Sequence, residues 1–427
     1  MALLVLVPPG NEFLSCSIYT HRFTFASFVL FSFLSLFSCS TPETEKSSTV
    51  ILDSVDEINR DSGGESVAHM RSADSTVEAS MPLDDLLAEI GALWEGDNKE
   101  EARRFFDAID RERLSPGWET SQWTYMRGLL FTEKWSGPEL GLAEGSISAL
   151  LIDGDDVWIG TWTGGISRLS DPLQSHTLRD AGLPTLAIRT VNRIRRYNRS
   201  IWIVRYGALE RYDTRSGIWE LVNGLPVNER LQDLCILDNK IYLGTLGEGL
   251  WVKEGREWNN MPNPGRFITR LELGDDGELL IATMNRGLFL YKARENTWLR
   301  PPLGLLEDAN VTSVLRSGDR IVGGTFGEGG FIWNTKSSEM LWFGLEELGD
   351  LWVLSVAELN DLLLFGTFGS GMNCLNPVDG TWDRISIKEG LPSADVSSLS
   401  VDKRGNIWVG TLGGGVVKVS GDIYDTR

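Results

Sequence analysis

Acid–base and metal chemistry draw mostly on histidine and on clustered carboxylates. This chain of 427 residues has three histidines, His21, His69 and His176. Only His176 lies in the C-terminal two thirds, on an expected outer strand. The sequence holds no nucleophile elbow, no paired-histidine zinc helix and no phosphate loop. Asp153-Gly-Asp-Asp and Gly274-Asp-Asp-Gly have the look of calcium-loop fragments, but each sits where a polar turn must join two strands. No catalytic residue, metal ligand or cofactor-binding residue is assigned. Of the four cysteines, Cys16 and Cys39 are N-terminal. Cys235 and Cys374 fall in distant repeats, too far apart for a bridge that needs Cα atoms within about 7 Å. Both are expected to be buried thiols.

The densest local chemistry is cationic. Arg189, Arg193, Arg195, Arg196 and Arg199 crowd one stretch, and Arg205 follows. Such a patch suits an acidic partner or an anionic glycan. The competing expectation is a solvated hairpin with Arg205 paired internally to Glu210, because a buried arginine without an acid is costly. The rest of the chain is acidic, with a formal net charge of −20, heaviest over residues 40–130. That balance argues against nucleic acid, whose affinity comes largely from neutralised phosphates.

These residues are positioned by a repeat. Asn406-Ile-Trp-Val-Gly-Thr-Leu-Gly-Gly-Gly-Val has a close copy at Asp156-Val-Trp-Ile-Gly-Thr-Trp-Thr-Gly-Gly-Ile. The residue before the motif threonine falls at Gly160, Val204, Gly244, Ala282, Gly324, Gly366 and Gly410, and in the second copy Arg205 replaces the threonine. A period of about forty residues filled with short strands is the signature of a β-propeller blade. One unit reads as an inner strand (147–153), a motif strand (157–162), a third strand (165–170) and an outer strand near 176–179. Trp219, Trp258, Trp298, Trp342 and Trp382 mark the outer strand elsewhere, and Gly-Leu-Pro at Gly182, Gly224 and Gly390 turns the chain to the next blade. Strands covered on both faces read as continuous apolar runs, as in Ile407-Trp-Val. The following glycine admits close approach of another backbone, and the downstream glycine supplies a positive φ for the turn. The last copy ends near Ser420 without an outer strand, whereas Phe131-Thr-Glu-Lys-Trp-Ser has outer-strand character. The fold class is therefore all-β: a seven-bladed β-propeller over 131–427, its seventh blade completed by the strand near 131–136, preceded by a small helical hairpin.

The N-terminal third divides by composition. Phe23 to Phe37 has the length of a signal-peptide core rather than a membrane span, and Leu36-Phe-Ser-Cys-Ser resembles a bacterial lipobox. Residues 1–39 are thus a signal peptide whose Cys39 becomes the lipid-modified residue, with a membrane attachment through that lipid. Residues 40–80 form an acidic disordered tether. Residues 81–130 are a helical segment: Leu83, Leu86, Leu87, Ile90, Leu93 and Trp94, then Ala102, Phe105, Phe106 and Ile109, follow helical spacing. Residues 83–113 resemble a single tetratricopeptide repeat, which cannot bury its face alone, so this hairpin is expected to pack on the propeller.

Ser398-Leu-Ser-Val-Asp-Lys-Arg-Gly-Asn-Ile-Trp-Val-Gly-Thr resembles the two-component regulator propeller repeat, and the repeats around it extend the resemblance over the propeller. That family builds the periplasmic sensing region of hybrid histidine kinases. The resemblance implies a non-catalytic, monomeric binding or scaffold module without cofactors, anchored in the bacterial envelope on the periplasmic side or outer membrane. Its partner would be an envelope protein or a glycan. The alternative is a periplasmic lyase- or lactonase-like enzyme using carboxylates at the channel mouth, and converging carboxylates there would favour it. After the motif position comes a large side chain every time (Trp162, Tyr206, Leu246, Met284, Phe326, Phe368, Leu412), as interblade packing requires. Two residues on, identity varies freely. Glu248, Arg286 and Glu328, with Trp162 and Phe326 behind them, form the candidate binding face.

Overall fold

Alternation of buried strands with glycine turns builds the sheets. The computed structural model describes residues 131–134, 142, 144–169, 178–181, 189–227, 230–262, 264–301 and 306–424, with scattered residues between 89 and 106. The expected signal peptide, Cys39, the acidic tether and His176 lie outside them. The described strands form seven four-stranded antiparallel sheets. Their inner strands are Ile147–Asp153, Val191–Tyr197, Leu231–Leu237, Ile268–Leu273, Val311–Ser317, Val353–Leu359 and Val396–Val401, and these define blades 1 to 7. Each inner strand lies against the inner strands of both neighbouring blades, and blade 7 returns to blade 1. The ring is closed as expected. The strand Thr132–Lys134 pairs with Gly415–Val419, in the register Thr132↔Val419 and Lys134↔Val417, as the outer strand of blade 7.

The interblade packing explains the motif. A Cβ on Gly160 would lie 2.6 Å from Val191 Cγ1, and one on Gly410 would lie 2.6 Å from Ile147 Cγ2. Gly244, Gly324 and Gly366 meet Ile268, Val353 and Val396 in the same way. The expectation of a close approach holds, but what arrives is mainly a β-branched side chain opening the next blade's inner strand, not only backbone. In blade 7, Asp402 accepts from the backbone N–H groups of Arg404 and Asn406, from Asn406 Nδ2 and from Trp408 Nε1. Burial works to raise its pKa, but these bonds outweigh it and the carboxyl is held below its usual range. The Asp-x-x-Gly portion of the motif is thus a turn built around one carboxylate.

Every inner strand carries a register shift one residue after its start, at Ser148, Asn192, Gln232, Thr269, Thr312, Leu354 and Ser397. Such a bulge re-aims one side chain. Ser148 Oγ donates to Val191 O (2.5 Å), Asn192 Nδ2 to Leu231 O (2.5 Å), Thr269 Oγ1 to Val311 O (2.5 Å) and Ser397 Oγ to Ile147 O (2.6 Å). Thr312 Oγ1 does the same to Val353 O. In these five blades the bulge residue therefore stitches one blade to the next.

Among the described N-terminal residues, Glu89, Ile90, Ala92 and Leu93, and then 101–103 with Phe106, are helical. Ile90, Ala102, Phe106 and Phe131 are buried in one cluster with Leu364 of blade 6 and Val417 and Val419 of blade 7, so these helical residues do pack on the propeller. Cys235 and Cys374 are buried thiols outside any disulfide, and burial pushes the Cys235 thiol up to about 12.

Candidate functional site

The turn between the second and third strands is set by the motif threonine. Thr161, Thr245, Thr283, Thr325, Thr367 and Thr411 each donate through Oγ1 to the carbonyl four residues on, at 2.7–3.0 Å. In blades 3, 5 and 6 the same oxygen accepts from the N–H of Glu248, Glu328 or Ser370. Blade 2 differs because its hairpin is shorter, with Arg205 paired directly to Ala208. There Arg205 forms an ion pair with Glu210 at 3.1 Å, both side chains being almost wholly buried.

These turns bond to the loops that enter the next blade. Gly247 and Gly249 donate to Arg266 O, Gly327 and Gly329 to Leu351 O, Gly371 to Ala394 O, and Gly415 to Gly145 O, at 2.8–3.1 Å. Hairpin tips and blade-joining loops thus share one face of the ring. Glu248, Arg286 and Glu328 are exposed on it, Trp162 is half-buried and Phe326 is buried. Glu248 lies 3.7 Å from Arg266, and the Arg286 guanidinium sits 5.4 Å over the Phe289 ring. The structure therefore puts the five candidate residues on a common face, spread over blades 1, 3, 4 and 5.

The face also holds residues that the sequence reading did not single out. Trp352, entering blade 6, stacks on Phe326 with centroids 4.1 Å apart and lies 5.4 Å from Phe368. This aromatic run crosses from blade 5 to blade 6. Beside it stand Asp350, which accepts from Trp352 N at 2.7 Å, and Asp395, bridged to Phe368. Burial raises Asp350, and burial together with the Asp350 charge raises Asp395. Glu328 is exposed as a side chain, yet partial desolvation of its carboxyl against the hairpin raises its pKa, opposed by hydrogen bonds from Thr325 and from the backbone of Glu328 and Asn310. The available signal was an acid placed one to three residues before a β-branched strand start, Asp395 before Val396 and Asp350 before Val353.

The five-arginine run does not form one surface. Arg193 lies 3.6 Å from the fully buried Asp233, while Arg195 reaches Asp233 at 2.9 Å and Glu272 at 2.8 Å across two blades. Burial lowers Arg193 to about 10, against the pull of Asp233. Burial also works against Arg195, but Asp233 and Glu272 outweigh it and hold its charge firmly. Arg196 pairs with Asp153. Arg189 and Arg199 are exposed at opposite ends of the inner strand of blade 2. The suspected calcium-loop acids are likewise paired: Asp156 with Arg168 (2.6 Å), Asp155 with Arg404 (3.2 Å) and Asp275 with Arg316 (3.0 Å). Among the described residues no group of three metal-binding side chains converges.

A ring of seven four-stranded blades defines a β-propeller. Residues 390–413 match the family model of the two component regulator propeller. That segment is such a repeat, as its motif implied. No curated protein matches the chain. Among solved structures, the chain is similar to the extracellular domain of a hybrid two component system of B. thetaiotaomicron, at 16% identity and a TM-score of 0.57, covering 68% of this chain and 42% of that one. It is similar to the extracellular domain of a one component system of the same organism at 17% identity and a TM-score of 0.56, covering 65% of this chain and 39% of that one. The chain thus spans about two-fifths of the length of those two. It also resembles a catalytically inactive virginiamycin B lyase of Staphylococcus aureus solved with quinupristin (16% identity, TM-score 0.54, 65% of this chain, 96% of that one). At these identities the likeness carries the fold.

Proposed function

We propose that this chain is a non-catalytic binding propeller, a sensor or scaffold module of the bacterial envelope, which takes a glycan or an envelope protein on the face formed by the hairpin tips. The observation that carries this reading is the Phe326–Trp352–Phe368 run. Phe326 is buried at the packing position behind its motif threonine, whereas Trp352 and Phe368 stay half-open beside it. Half-open rings beside carboxylates suit a sugar, whose apolar face lies on the ring and whose hydroxyls donate to the acids. They equally suit the aromatic anchors of a protein interface. The family repeat at 390–413 and the extracellular domains of one and two component systems among the structural neighbours support a sensing role. An envelope position, with a lipid on Cys39 as anchor, belongs to the same proposal. Metabolic labelling with a clickable fatty acid tests it: label lost in Cys39→Ala supports the anchor, and label retained removes it.

A second reading has one specific observation behind it. Asp350 and Asp395 are close enough for one charge to raise the other, and coupled carboxylates at a mouth are what an acid–base enzyme would use. Incubating the full chain with envelope polysaccharide separates the two. Recovery of the ligand unchanged supports the binding module. Turnover that is lost in Asp350→Asn supports the enzyme.

A further inference from the structure

The face opposite the hairpin tips carries a groove of about 640 Å³ between blades 2 and 3. Its walls come from the turns joining the first and second strands of each blade, together with the end of the third strand of blade 2. Tyr197, Asn198, Arg199, Trp202, Arg211 and Asn239 line it. Asn198 and Asn239 hold positive φ, at 53° and 63°, in the left-handed region that asparagine tolerates best after glycine.

The charge in this groove is unusual for the molecule. Arg193, Arg195 and Arg196 all spend their charge on carboxylates within the ring. Arg199 is exposed and forms no ion pair with any described residue. Arg211 is fixed by a hydrogen bond from Nε to Ser200 Oγ (2.9 Å) and lies 5.8 Å over Trp202, while its carboxylate neighbour Glu220 is 3.9 Å away and mostly solvated. Two guanidiniums therefore face one groove in a chain whose net charge is −20. Asp213 also lines the groove, opposite in sign to the two guanidiniums, and one of its oxygens holds its own turn, accepting from the N–H groups of Arg215 and Ser216 and from Ser216 Oγ.

We propose that this groove binds a carboxylated oligosaccharide. Its volume is that of a pocket for a ligand of several rings, well beyond a single inorganic anion. The planar guanidiniums match a carboxylate, the two asparagine side chains donate to and accept from hydroxyls, and Tyr197 offers an apolar face for a sugar ring. This site is separate from the hairpin-tip face and does not depend on its role.

Isothermal titration of the full chain with digalacturonate, neutral galactobiose and inorganic phosphate tests it. Digalacturonate is expected to bind, more weakly as salt rises, and Arg199→Met is expected to weaken it at least about tenfold. Arg199 lies on an exposed turn, so an unchanged melting curve shows that this variant is folded. Affinity undiminished in E248A/R286A/E328A supports a site separate from the hairpin-tip face. Failure of digalacturonate to bind, equal affinity for galactobiose or for phosphate, or undiminished affinity in Arg199→Met overturns the proposal.

Discussion

Gly410 faces Ile147 across the junction that closes the ring, and the contact is already full. In Gly410→Ala the new Cβ would come 2.6 Å from Ile147 Cγ2 and 3.2 Å from Leu150 Cδ1. Overpacking of this kind costs about 1–3 kcal/mol, so urea unfolding should shift to a lower midpoint with an unchanged slope. Blades 2 and 4 carry Val204 and Ala282 at the same place, both fully buried. Asp395 gives a second residue-scale prediction. Burial and the Asp350 charge raise its pKa above the 3.8 expected when unfolded, so the folded chain holds this proton more tightly. The resulting stabilisation is full below that unfolded value and is lost as pH rises through the folded one. Asp395→Asn should therefore be more stable than the natural chain at pH 7 and show no gain near pH 3. If it is less stable at pH 7, the acid is held by bonds that outweigh burial. A gain in stability with a loss of binding would fit an acid kept for function.

At the scale of elements, the closing strand and the bulge carry the ring. Without residues 131–136 the Gly415–Val419 edge of blade 7 would lose its partner, and an open edge recruits other chains. Thermal unfolding of that deletion should move well below the intact chain, and light scattering should show self-association. An unchanged melting curve would contradict the closure. Much of this was legible in the sequence. The motif spacing counted the blades, the tryptophans from Trp219 to Trp382 marked outer strands, and the missing outer strand after Ser420 pointed back to Phe131. The bulge was not read, because a one-residue shift leaves the apolar pattern of a strand buried on both faces unchanged. Its trace in six of the seven blades is an aliphatic residue followed by Ser, Thr, Asn or Gln, as in Ile147-Ser, Val191-Asn and Val311-Thr, and blade 6 has Val353-Leu instead. The candidate face was located through its variable turn residues. Asp350, Trp352 and Asp395 escaped because they lie in loops that join blades, where no repeat aligns them. The arginine run misled for a related reason: on an inner strand, alternate residues turn toward different neighbours, so closeness in sequence did not make a patch.

The whole molecule separates a rigid ring from the surfaces mounted on it. Interblade hydrogen bonds, β-branched packing and the closed seventh blade account for almost every conserved-looking feature of the seven copies. What is left over is aromatic and charged: the groove between blades 2 and 3 on one face, and the aromatic run with its neighbouring acids on the face of the hairpin tips. Capture of ligand from an envelope extract, comparing the intact chain with E248A/R286A/E328A, tests the assignment of recognition to that face most directly. The three side chains are exposed, so the variant should melt with the intact chain. The account predicts that capture falls at least about tenfold, as expected when several contacts of one interface are truncated together. Full capture by the folded variant would contradict it and place recognition elsewhere on the ring.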